Sequence, residues 1–212
     1  NPSQYYSNQK KLYKRYKKNF EYNYTYLFKL PLKLFNNCDL IDFGAGTGDN
    51  TLFLAENGAK CTLVDMNYDA IVKSKKLFKH FLKKDFKKHK FIVSSIFNFK
   101  AKKKFDFVQS RGALAHTESP KLAFQKCASF LKKGGIIIIN SPTSDGIIFK
   151  VSSFLMNLGF TKFYDRLWQK NMNSPHLSYF NKKNLNLLFS KHNFYELKSG
   201  YLNSLDANNS SR

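Results

Sequence analysis

Cysteine is scarce in this chain of 212 residues: Cys38, Cys61 and Cys127 are odd in number and far apart. They form no Cys-x-x-Cys pair, which excludes a zinc knuckle, a dithiol redox centre and a disulfide framework. Two of them lie in apolar strand-like runs, so they read as small core residues in a reducing compartment. Long apolar runs are also missing. A membrane span needs ~20 apolar residues, whereas the longest run here, Ile136-Ile137-Ile138-Ile139, has the length of a buried strand. No secretory signal shows at the start, and together these absences predict a cytoplasmic protein. Arginine is rare. Of 36 basic residues only Arg15, Arg111, Arg166 and Arg212 are arginines, leaving 32 lysines against 14 acidic residues. Nucleic-acid sites favour arginine for forked contacts to bases and phosphates. The net charge of +22 gives a strong positive field and an affinity for anionic partners at low salt. Lysine, asparagine and phenylalanine are, however, the residues that AT-rich codons encode, so the charge is weak evidence about substrate.

The length suits one domain with a real core. Residues 1–37 form a helical lid segment rich in Tyr and Lys, residues 38–205 form the main domain, and residues 206–212 are a polar, frayed tail. From residue 39 onward strands and helices alternate. Strands are expected at 39–43, 60–65, 91–93, 105–108 and 136–139, with helices at 50–57, 68–84 and 120–131 between them. The strands are apolar on both faces, which calls for a parallel sheet covered on both sides. Helices at 149–158 and 181–190 follow, then two strands at 194–198 and 201–205. The expected fold class is α/β: a doubly wound, mostly parallel sheet with helices on both faces and an antiparallel pair at its end.

Chemistry enters at Asp42-Phe43-Gly44-Ala45-Gly46-Thr47-Gly48. Glycines directly follow a strand and precede a helix, where a tight turn must bring backbone close to a ligand. Asp65 ends the next strand, where a carboxylate can accept both hydroxyls of a ribose. A dinucleotide loop reads Gly-x-Gly-x-x-Gly. This one reads Gly-x-Gly-x-Gly behind a carboxylate, which suits a cationic ligand better than a diphosphate.

With these residues in view, Leu40 to Gly48 resembles motif I of class I S-adenosylmethionine-dependent methyltransferases, whose domain is Rossmann-like. The resemblance continues through Leu63-Val64-Asp65-Met66, Phe105-Asp106-Phe107-Val108-Gln109-Ser110 and Leu131-Lys132-Lys133-Gly134-Gly135-Ile136, covering roughly residues 38–142. A looser match, His176-Leu177-Ser178-Tyr179-Phe180 and residues 188–194, is similar to the tail of the ubiquinone-pathway O-methyltransferases. The resemblance implies that S-adenosylmethionine is the cofactor. Gly44, Ala45, Gly46 and Gly48 would form its loop, and Gly44 and Gly46 would face the methionine part. Asp42 would hold the ammonium, Asp65 the ribose and Met66 the adenine face. Where the family often has an acidic residue near the adenine amino group, this chain has Ser94-Ser95-Ile96, so Ser95 and Ile96 take that place. Ser110 completes the cofactor set.

On the substrate side, His116 falls at the carboxyl edge of the sheet, where ligands bind, and its titration range suits a general base. It is weighed equally against a helix-start histidine packed beneath the cofactor. Arg111 is a candidate for an acidic substrate group, against a surface salt bridge. His176 is a candidate from the tail, against a structural loop histidine. Asp106 reads as structural. No Cys/His/Asp cluster has metal-ligand spacing, so the site is expected to hold no metal. Gln109-Ser110-Arg111-Gly112 stands where amino-methylating DNA enzymes of this fold carry Asn/Asp-Pro-Pro-Tyr/Phe. The expected reaction is methyl transfer to an oxygen, less readily a nitrogen, of a small molecule or saccharide unit. An RNA methyltransferase and a non-catalytic binding domain stay open as rivals, and oligomeric state is not legible.

Overall fold

The computed structural model describes residues 2–172 and 174–202, with side chains from residue 10 onward. Five strands form one sheet in the order β3-β2-β1-β4-β5: β1 (Asp39–Phe43), β2 (Lys60–Asp65), β3 (Lys90–Val93), β4 (Phe105–Arg111) and β5 (Leu131–Asn140). Every pairing is parallel. All strands therefore begin at one edge and end at the other.

The period-two alternation of side chains explains why a sheet forms here. Leu40, Leu63 and Phe107 enter one core, with Leu52, Phe53, Leu77 and Phe78. Ile41, Val64 and Val108 enter the other, with Ala123 and Cys127. The first core is closed by α1 (Pro2–Tyr22), α2 (Asp49–Glu56) and α3 (Tyr68–Leu82). The second is covered by α4 (Pro120–Ser129). Capping matches the sequence signals: the Asn67 side chain accepts the Ala70 amide at 3.1 Å, and Ser119 precedes Pro120 at the start of α4. All three cysteines are free and buried, and burial pushes the Cys127 thiol up to about 12.

Beyond β5 come α5 (Ile147–Asn157), α6 (Thr161–Leu167) and α7 (Lys182–Ser190). Two expectations fail here. Helix α6 was not foreseen, because seven residues of mixed polarity carry no readable period. The antiparallel pair is not formed among the described residues: 194–202 contain no strand, and the second expected strand runs past residue 202. Alternation of Tyr195 and Leu197 with Glu196 and Lys198 describes a surface segment equally well when no partner strand is beside it. The sheet is thus wholly parallel. No helix among the described residues is long and apolar enough to cross a membrane.

In this strand order the chain reverses direction across the sheet between β1 and β4, and ligands of open α/β sheets bind at that point, beyond the carboxyl ends of the strands. The glycine loop leaves β1 there, and residues 112–116 leave β4 beside it.

Candidate functional site

The loop after β1 is held from below. The Gly44 and Ala45 amides donate to the Val64 carbonyl at 2.8 and 3.2 Å, and the Gly46 amide donates to Asp65 Oδ2 at 2.8 Å. Gly44 has φ +74°, and a Cβ there would lie 2.4 Å from that of Ala113. Gly46 has φ +55°, and a Cβ there would meet no atom within 4 Å. The first glycine lets two loops touch, while the second faces open space. Asp65 also accepts the Asn67 amide at 2.8 Å through Oδ1, so this carboxylate ties the end of β2 to the glycine loop. Gly48 ends the turn in the left-handed region and leads into α2.

Asp42 stands at the end of β1, register partner of Gln109 on β4. Its Oδ2 accepts from the Thr51 hydroxyl and, at 3.0 Å, from Gln109 Nε2. Burial pushes the Asp42 carboxyl up from 3.8 to about 6, opposed by the hydrogen bonds from Thr51 and Gln109 and by the Arg111 charge. Tyr24 closes this cluster from the N-terminal segment, donating to Asn50 Oδ1 and lying 2.5 Å from Gln109 Oε1. Sequence reading missed Tyr24, Asn50, Thr51 and Gln109. Their only signal was adjacency to motif residues, and for Tyr24 there was none, because 85 residues separate it from Gln109.

Four buried polar atoms in this region have no hydrogen-bond partner in the protein: Asp42 Oδ1, Asn50 Nδ2, Ser110 Oγ and Arg111 Nη1. Buried polar groups are rarely left unpaired without a reason. The orphaned set consists of a carboxylate oxygen, two donors and a hydroxyl, and it matches an ammonium and a carboxylate carried by one ligand. Arg111 lies close enough to Asp42 and Tyr24 for its charge to act on both, which puts it beside the glycine loop's carboxylate.

Farther along β2 and β3, Met66 is 73% exposed. The Ser95 hydroxyl accepts the Asn98 amide at 3.0 Å, capping a turn and leaving one acceptor direction free. The Ile96 side chain is buried in the core with Phe43 and Val64.

His116 and His176 come together, their ring centroids 4.6 Å apart. The tail is clamped onto the loop after β4: the Leu177 and Ser178 amides both bond the Ala115 carbonyl, at 2.7 and 3.1 Å. His116 Nδ1 lies 2.8 Å from the Pro175 carbonyl and His176 Nδ1 2.8 Å from that of Leu167. A carbonyl can only accept, so each ring donates from Nδ1, which leaves Nε2 as the acceptor of the neutral imidazole. Beside His176, Tyr179 packs on Trp168 at 4.9 Å and on Phe149 at 4.8 Å, building an aromatic wall that the sequence did not announce. Asp106 sits at the opposite edge, receiving the Asp39 amide and Lys132, each at 2.8 Å.

No curated protein sequence matches the chain. Among solved structures it is similar to the plantazolicin methyltransferase BpumL in complex with a monoazolic desmethylPZN analog and SAH (TM-score 0.59, 21% identity, covering 90% of this chain and 67% of that one). It is also similar to the magnesium protoporphyrin IX methyltransferase of Synechocystis PCC 6803 with bound SAH (TM-score 0.58, 14% identity, 74% and 64%). A third likeness is to a structure from Bacillus halodurans C-125 described as a methyltransferase by assignment (TM-score 0.58, 16% identity, 74% and 62%). The chain spans roughly two thirds of the length of these structures. At these identities the likeness establishes the fold. The sequence profile of the family described as "Methyltransferase domain" matches residues 10–198, from within α1 to beyond α7, and the chain belongs to that family.

Proposed function

We propose that this protein transfers a methyl group from S-adenosylmethionine to an oxygen, less readily a nitrogen, of a small molecule or saccharide unit. The observation that carries the reading is the orphaned polar set at the carboxyl edge, Asp42 Oδ1, Asn50 Nδ2, Ser110 Oγ and Arg111 Nη1, together with the open face of Gly46 in the loop after β1. When bound, the cofactor supplies an already activated methyl group. Asp42 receives its ammonium and Arg111 its carboxylate, a better use of that guanidinium than the acidic substrate group expected from sequence. Asp65 takes the ribose hydroxyls, and Met66 and Ser95 flank the adenine. The N-terminal segment acts as a wall of this site through Tyr24.

The acceptor side is His116, His176 and the wall of Tyr179, Trp168 and Phe149. The Nε2 of either neutral ring can take the proton of a hydroxyl acceptor as the oxygen attacks. Much of the acceleration comes from holding acceptor and methyl group in line, which the rigid loop after β4 provides. The basic charge bears on the RNA alternative. Lysines at 83–90, 100–104 and 132–133 sit where strands begin, and Lys90, Lys100, Lys102 and Lys103 line a cleft of about 290 Å³ at that edge. That is the edge opposite the glycine loop, so these lysines lie away from the candidate methyl-transfer site.

Two tests follow from this reading. A panel of hydroxylated metabolites and sugars, run beside RNA at two salt concentrations, should give small-molecule turnover that depends weakly on salt. Salt-sensitive methylation of RNA alone, as counterion release demands, would sink the proposal. Within the panel, His116→Gln should lower kcat by about 10²-fold or more if His116 is the base, leaving KM for the cofactor little changed. The second test uses Asp42. Its pKa is raised in the folded state, so its stabilising contribution is full below the ordinary 3.8 and is lost as pH rises through about 6. The cofactor-free protein should therefore lose about 3 kcal/mol relative to Asp42→Asn between acid and neutral pH, read by urea unfolding. Cofactor affinity should run the other way and weaken below about pH 6, as Asp42 protonates and ceases to attract an ammonium. A flat binding profile would remove Asp42 from the ammonium site.

A further inference from the structure

Helix α5 carries its apolar stripe on the wrong side for a core helix. Ile147, Val151, Phe154 and Leu158 are spaced four, three and four apart, which puts them on one face. All four are between 50% and 75% exposed. The face turned inward holds the buried Ser152, and Phe149, which packs on Tyr179. The chain then turns at Gly159 into α6, where Phe160 and Phe163 are again about 60% exposed. Six large apolar side chains on a connected pair of helices exceed the scattered exposure of an ordinary surface and mark an interaction site.

The surroundings of the stripe indicate its occupant. Lys150, Lys162 and Arg166 are exposed among these residues, and segment 141–183 holds six Lys and Arg against Asp145 and Asp165. A second copy of the chain is a poor fit, since it would bring +22 against +22 and set these cations near their own counterparts. Residues 203–212 offer Leu205 and Ala207 as their only apolar residues, too little to cover six side chains. Nucleic acid would leave the stripe wet. We infer that the α5–α6 face docks on an anionic lipid surface, its apolar side chains entering the headgroup boundary and its cations meeting lipid phosphates and carboxylates. This is the arrangement of interfacial amphipathic helices, which lie on a bilayer and do not cross it. The inference is independent of the methyl-transfer reading. It also brings the aromatic wall of the acceptor side, on the inner face of α5, close to the bilayer.

The full chain is to be floated with vesicles of pure phosphatidylcholine and of phosphatidylcholine mixed with phosphatidylserine. Binding is expected on the mixed vesicles, weakening with salt. Val151→Ser with Phe154→Ser should lower the partition by about tenfold or more, since each exchange removes a large apolar side chain from the boundary. Both positions are exposed, so the variant should keep its thermal transition and circular dichroism. Lys75→Glu with Lys79→Glu, on the distant exposed face of α3, removes more charge and should cost less. Three results would overturn the inference: no binding of the wild type, equal binding of the Ser variant, or a larger loss from the α3 variant. Sedimentation showing a dimer that the Ser variant converts to monomer would assign the face to a second copy instead.

Discussion

Asp65→Ala should weaken binding of S-adenosylmethionine and of its demethylated product more than the loss of any other polar side chain in the site. Asp65 has two duties. Its oxygens accept the Gly46 and Asn67 amides, both at 2.8 Å, and its remaining lone pairs are the ones proposed to accept the ribose hydroxyls. Removing the carboxylate deletes the ribose acceptor and also releases the loop amide that fixes Gly46. Each lost charge-assisted bond is worth ~1.5–3 kcal/mol, so two ribose contacts and a loosened loop should cost on the order of 10²- to 10⁴-fold in affinity. Calorimetry on the folded variant reads this directly. Asp65→Asn is the informative companion: it keeps the shape and one acceptor oxygen, so it should fall between wild type and Ala. Unchanged affinity in the Ala variant, or tight binding of a nicotinamide dinucleotide by the wild type, would remove the cofactor assignment itself.

The second large effect separates two glycines that look alike in the sequence. Gly46→Val should abolish cofactor binding and leave a folded domain. A Cβ at Gly46 meets nothing within 4 Å, so the new side chain enters the open space proposed for the methionine part without displacing protein atoms. The left-handed φ of +55° adds strain on the order of 1–2 kcal/mol for a side chain there, which a domain of this size should survive. Gly44→Ala should do the reverse. Its Cβ would stand 2.4 Å from that of Ala113 and force the loops after β1 and β4 apart, lowering the melting temperature first. Thermal denaturation and cofactor titration on both variants give a crossed pattern. Equal affinity for Gly46→Val and wild type would make the loop a structural turn only.

These two positions show how far the sequence reached. Gly44 and Gly46 were both legible as loop glycines, because a strand before them, a helix after them and Asp65 beyond them are local features. What distinguishes them is Ala113, nearly seventy residues away. The strands were legible for the same kind of reason: Leu40 and Ile41 must enter opposite cores, and a run apolar on both faces has few other homes. The missing terminal pair marks the limit of this logic, because residues 194–198 alternate acceptably whether or not a strand lies beside them.

The sequence alone therefore determined the parallel α/β sheet, the position of the glycine loop and the carboxylates Asp42 and Asp65, all of which follow from patterns spanning a few residues to a few tens. The tertiary structure decided everything that depends on contact across the chain. It brought Tyr24 onto Gln109 and Asn50, set the His116 ring against that of His176, and gathered the lysines of 83–90, 100–104 and 132–133 at the edge away from the glycine loop. It also decided which apolar stripe stays uncovered. Periodicity states that α5 has an apolar face, but whether that face meets a core or solvent depends on what packs against it, and that is a property of the whole fold.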